Sequence, residues 1–172
     1  MAIKRGFAML YESHYLPGRL ISIIESHADK LTRDTVKKLQ SSPRTCSYSK
    51  ISYAELLYQV NEVYQNLGRW VWEKTDPVIQ AWYNELGQKR FNEGVPLNEI
   101  LWALVITKEQ LIDYLDASAL ADSAVELYRK QEVDRLISHF FDRAACYTAE
   151  GYECEASLRG RDGVATVHCG IG

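Results

Sequence analysis

The sequence predicts an all-α fold, a bundle of about five to six helices. Three observations carry this. Proline and glycine are scarce, at 4 and 10 residues, and the glycines concentrate at and beyond Gly151. The body of the chain therefore has few breaks. Apolar residues recur at the spacing of one helical face, and no segment sustains the alternation of a strand. The 172 residues, 47% hydrophobic and 25% charged, suit a single soluble domain able to bury a core.

The first helix is expected from about Pro17 to Gln40. Pro17 fits a first-turn position, and Leu20, Ile23, Ile24, His27, Leu31 and Thr35 share one face. A short helix near Phe7 to His14 is an optional addition. The polar stretch Ser41–Thr45, with Pro43 inside it, ends the first helix. Ser52 and Glu55 have capping-box spacing for the second, whose stripe is Leu56, Val60, Val63, Leu67, Trp70 and Val71.

Asp76 and Pro77 form an N-cap and first-turn pair for a third helix. It carries Val78, Ile79, Trp82, Leu86 and Phe91 and stops at Gly94, a residue suited to a left-handed cap. Pro96 opens the fourth helix, through Leu115. The last runs from about Ala121 to Tyr152. Its length exceeds the depth of a small bundle, so part of it is available to a second subunit. We expect one domain over residues 1–155 and a flexible tail over residues 156–172.

Function classes narrow next. A formal charge of −3 argues against a nucleic-acid partner. No apolar run reaches the ~20 residues of a membrane helix, and Lys4, Arg5, Glu12 and His14 interrupt the N-terminus as a signal peptide. A cytoplasmic location follows, with Cys46, Cys146, Cys154 and Cys169 as free thiols lacking any CxxC spacing. The histidines are His14, His27, His139 and His168. None lies between Ala28 and Ser138, where a proximal haem ligand would stand, and no Glu-x-x-His occurs. No cofactor or metal is expected. No nucleophile–base pair is visible, so no catalytic residue is assigned. The charged sets Lys37–Lys38 and Arg129–Lys130–Glu132 read as solvated faces. The aromatic residues leave one alternative, an apolar ligand pocket among Trp82, Trp102, Phe140 and Tyr147. A haem or metal site is a further, weaker alternative.

Two stretches carry a resemblance. One is Lys89-Arg90-Phe91-Asn92-Glu93-Gly94-Val95-Pro96-Leu97-Asn98-Glu99, leading into Ile100–Ala103. The other is Phe140, Phe141, Asp142, Arg143 and Ala144, then Tyr147, Thr148, Glu150, Gly151, Tyr152 and Glu153. Together they resemble the N-terminal domain of RsbRD-type proteins, the RsbT co-antagonists of bacterial stress signalling. The matching positions are Arg90, Glu93, Gly94, Pro96, Leu97, Phe141, Asp142, Arg143, Gly151 and Tyr152. The resemblance implies a globin-like sensor domain without haem, dimeric and not an enzyme. Such domains precede an output module, and this chain runs only 20 residues past Tyr152. On this reading it works as a stand-alone module. Its partners would be a second copy, a regulatory protein and, on the alternative, a small apolar ligand.

Overall fold

A computed structural model describes residues 27–73, 76–118 and 124–165, and all the regular structure among them is helical. Helix α1 covers 27–41. A short 3-10 turn, Cys46–Lys50, follows, and then α2 (Tyr53–Glu73), α3 (Asp76–Asn92), α4 (Leu97–Ser118) and α5 (Ala124–Ala165). The all-α expectation holds for these residues. The stretch from Pro17 to Ser26, the short helix near Phe7, and residues 119–123 and 166–172 lie outside the described residues.

The boundaries follow from local chemistry. The loop after α1 is pinned by buried Thr45, whose hydroxyl donates to the Leu39 carbonyl at 2.6 Å. That satisfies one of the orphan acceptors at a helix C-terminus. At the start of α2 the Glu55 N–H donates to Ser52 Oγ at 3.2 Å. The other half of the expected capping box does not form, because the Glu55 carboxylate is engaged by Lys89 and Gln59. We predict that Ser52→Ala lowers unfolding free energy by about 1 kcal/mol, the usual loss for an N-cap hydroxyl. Urea denaturation followed by circular dichroism checks this.

The α3–α4 corner is a Schellman closure. Gly94 sits at φ +73°. Val95 N–H reaches back to the Arg90 carbonyl and Gly94 N–H to the Phe91 carbonyl, both at 3.0 Å. The Pro96 carbonyl then accepts the first bonds of α4 from Glu99 and Ile100. The anticipated Gly-then-Pro joint is thus formed by both residues in the anticipated roles.

The core is continuous across all five helices. Leu31, Val36 and Leu39 of α1 join Leu56, Val63 and Leu67 of α2, Ile100, Leu104 and Leu111 of α4, and Ile137 and Phe140 of α5. A buried polar thread crosses it. Thr35 Oγ1 and Tyr64 Oη lie 2.8 Å apart, and Tyr64 Oη donates to the Thr107 carbonyl at 3.4 Å. This ties α1, α2 and α4. Asp76 ties α2, α3 and α5: its carboxylate accepts from Trp70 Nε1 at 3.0 Å and pairs with Arg143.

Helices α3 and α5 run side by side in the same direction. Tyr83 packs on Phe140, Phe91 on Tyr152, and Asn92 meets Glu155. Their backbones touch at two glycines. A Cβ on Gly87 would lie 2.8 Å from Tyr152 N and closer still to the Thr148 carbonyl oxygen. A Cβ on Gly151 would lie 2.6 Å from Asn84 Cα.

Two expectations are corrected. The fully buried face of α3 is Ile79, Tyr83, Gly87 and Arg90; of the apolar set expected, Ile79 is buried and Trp82 and Leu86 pack partly against the core, while Val78 does not. Val78 is 56% exposed, because the face is chosen by the close backbone approach and an ion cluster rather than by hydrophobicity. The last helix also runs further than expected, past Tyr152. Helix α5 has 42 residues and continues through Ala165. Its extension is held by Arg159, which bonds Asn92 and lies 5.3 Å from the Phe91 ring, and by the Ser157 hydroxyl on the Glu153 carbonyl.

Candidate functional site

The strongest polar constellation lies where α3 ends. Arg90 is 0% exposed although its side chain is charged. Such a group is stable only with opposite charge and hydrogen bonds around it. The end of α3 and the corner supply one partner, Glu93, one turn further on. Helix α2 supplies Glu55, with its carboxylate 3.6 Å from the guanidinium, and the Gln59 side-chain oxygen, which accepts from Nη2. The 3-10 turn supplies the Tyr48 ring, 5.3 Å from the guanidinium carbon. Nε alone has no partner.

Lys89 completes the cluster from outside. Its ammonium lies 2.9 Å from Glu55 and 3.8 Å from Glu93. Two cations therefore face two carboxylates. The Lys89 hydrogen bond holds the Glu55 carboxyl below the usual carboxylate range, against the opposing effect of burial. Burial pushes the Tyr48 hydroxyl up to about 12, while the Arg90 charge pulls the other way. Just beyond, Glu99 of α4 accepts the Ser47 N–H at 2.7 Å. The cluster clamps α2, the 3-10 turn, α3 and α4 at one corner. Nearly every polar arm is used in holding helices together, which is the chemistry of a joint.

No known protein family, curated protein or solved structure matches this chain.

Most of the residues of the resemblance fall on these joints. Arg90 and Glu93 form the cluster, and Gly94, Pro96 and Leu97 form the corner. Phe141 is in the core, Asp142 is exposed, and Arg143 binds Asp76. Gly151 is the close contact with α3, and the Tyr152 ring lies edge-on to Phe91 with centroids 5.1 Å apart. The second stretch thus packs along the helix that the first one terminates. Sequence reasoning missed Glu55, Gln59 and Tyr48, which lie far from Arg90 along the chain. The Arg90–Glu93 spacing was the available clue, since such pairs face each other on a helix.

Of the four aromatic pocket candidates, Trp102, Phe140 and Tyr147 do not line the cavity beside Trp82. Trp82 lines a cavity of about 30 Å³ together with Tyr48, Gln59, Leu86 and Ile100. Phe140 is buried against Trp70, Tyr83 and Phe141. Trp102 is 37% exposed, with the Arg44 guanidinium 3.7 Å above its ring. Tyr147 is half-buried on α5. Cys46, Cys146 and Cys154 are free and exposed. His139 lies 5.5 Å from the Trp70 ring and His27 5.4 Å from Tyr114. His14, His168 and Cys169 lie outside the described residues. Among the described residues no group of three or more His, Cys, Asp or Glu is placed to hold a metal ion, and no helix is long and apolar enough to cross a membrane.

Proposed function

We propose that this chain is a non-enzymatic sensory or interaction module of the cytoplasm, working as a homodimer. In this reading it has the globin-like, haem-free architecture that the RsbRD resemblance implies. The observation that carries the reading is an exposed leucine near the C-terminal end of the longest helix. Helix α5 has 42 residues, roughly 60 Å, while α3 beside it has 17, roughly 25 Å. The exposed end of α5 includes Leu158, 51% exposed, flanked by Cys154 and Ser157. A second copy laid along this end would cover that leucine, and the signal would leave by association. The roles of Arg90, Gly94 and Gly151 as joints support a scaffold whose geometry, not whose reactivity, is specified.

The alternative of an apolar pocket among the aromatic residues has less support, because the cavity beside Trp82, about 30 Å³, holds one or two waters and small-molecule sites span ~300–1,000 Å³.

Sedimentation velocity of the full chain tests the proposal. The expected species has twice the 19.7 kDa chain mass. Leu158→Glu should convert it to monomer with the helical spectrum unchanged. A wild type that stays monomeric at high concentration overturns the dimer.

A further inference from the structure

Charge is distributed unevenly along this molecule. Residues 27–50 hold six cations, Lys30, Arg33, Lys37, Lys38, Arg44 and Lys50, against two acids, Asp29 and Asp34. Residues 76–118 hold seven acids against three cations. Pairing is uneven too. Outside residues 27–50, Arg69, Lys89, Arg90, Lys130, Arg135 and Arg143 form ion pairs, and among the described residues Lys108 and Arg159 do not. Among the described residues, none of the six cations in 27–50 does. Lys30, Arg33 and Lys37 fall at one-turn spacing on the exposed side of α1. Asp29 and Asp34 lie among them and leave the stripe net positive by one charge.

A groove adjoins this stripe. It holds about 280 Å³ between α1 and α2 and is lined by Asp29, Thr32, Arg33, Leu57, Tyr58 and Asn61. Tyr58 is 65% exposed at its wall. The Thr32 hydroxyl is buried beside it with no partner. A hydrophobic ring standing in solvent next to cations that lack a carboxylate partner is an arrangement that binding would improve twice over. It would cover apolar surface and it would neutralise charge.

We propose that the outer face of α1, with this groove, docks an acidic segment of a partner protein carrying an aromatic or aliphatic side chain. Carboxylates lie along Lys30, Arg33 and Lys37, and the apolar side chain enters the groove against Tyr58. A nucleic-acid duplex fits less well. Its field reaches a Debye length of ~8 Å and more, so it would also meet the acid-rich helices behind. A short acidic segment touches only the basic stripe. The inference deepens the interaction-module reading by naming the partner's chemistry, and it uses a different face from the α5 end. Sedimentation and peptide binding therefore fail independently.

The experiment uses the full chain and a fluorescein-labelled peptide of Glu-Glu-Phe repeats. A Lys-Lys-Phe peptide and a short DNA duplex are comparators. Fluorescence anisotropy should show binding of the acidic peptide that weakens as salt rises. The double variant Arg33→Glu/Lys37→Glu should bind about tenfold more weakly, and Lys108→Glu on α4 should bind like wild type. Carbodiimide cross-linking should join the peptide to Lys30, Lys37 or Lys38. Four results overturn the proposal: no binding at low salt, an unaffected double variant that keeps its helical spectrum, cross-links confined to Lys89, Lys108 or Lys130, or a duplex that binds as tightly as the peptide.

Discussion

Gly151→Ala should cost this protein about 3 kcal/mol or more of stability, and Gly87→Ala a similar amount. The added methyl of the first would lie 2.6 Å from Asn84 Cα and 2.7 Å from its carbonyl carbon. These are backbone atoms inside a helix, so no side-chain rotamer relieves the clash. Helices α3 and α5 must separate. Separation then loosens Tyr83 against Phe140 and Phe91 against Tyr152, so packing is lost beyond the point of contact. Overpacking of a core costs ~1–3 kcal/mol where neighbours can shift, and more where they cannot. The two glycines serve one crossing, because Gly87 meets the turn of α5 that contains Thr148 and Tyr152 while Gly151 meets Asn84. Their effects should therefore be less than additive: once either methyl has parted the helices, the other enters a widened gap. Urea titration of both single variants and the double variant checks this. A single variant as stable as wild type, or a double equal to the sum of the singles, contradicts it.

The sequence reveals this crossing only in part. Ser52, Gly94 and Pro96 were readable because each has a local signature that its own neighbours decide: a hydroxyl at an N-cap, a left-handed glycine, a proline ahead of a helix. The stripe of α2 was readable because burial there follows hydrophobicity, as Leu56, Val60, Val63 and Leu67 show. Helix α3 breaks that link. Its most buried positions include a glycine and an arginine, and its early valine faces solvent. No hydrophobic pattern reports a position whose value is its lack of a side chain. The extension of α5 past Tyr152 was masked by Gly160, a helix-weakening residue. The contacts that favour helix there come from Asn92 and Phe91, on another element. The Arg90 cluster fails to appear for the same reason, since Glu55, Gln59 and Tyr48 reach it only through the fold.

That cluster sets the second large effect. Arg90→Met should lower unfolding free energy by about 3 kcal/mol. Methionine keeps most of the buried aliphatic stem, so the loss reports the guanidinium rather than a cavity. Removing one partner of a buried ion pair costs ~3–5 kcal/mol when the other charge is stranded. Here Glu55 and Glu93 each keep 33% side-chain exposure and Lys89 still pairs with Glu55, so they rehydrate, and the lower end applies. What remains uncompensated is the inner half of the cluster: the Gln59 oxygen loses its donor, and the Tyr48 ring loses the cation beside it. Arg90→Ala should cost more than the methionine variant, because it also empties the stem's volume in a fully buried place. Lys89→Met, which removes an exposed charge from the same carboxylates, should cost under about 1 kcal/mol. The ordering Ala, then Met at Arg90, then Met at Lys89, measured by urea denaturation, separates a buried clamp from a surface ion pair. If Arg90→Met and Lys89→Met prove equal, the buried guanidinium contributes no more than its solvated neighbour, and the corner is held by Gly94 and the core alone.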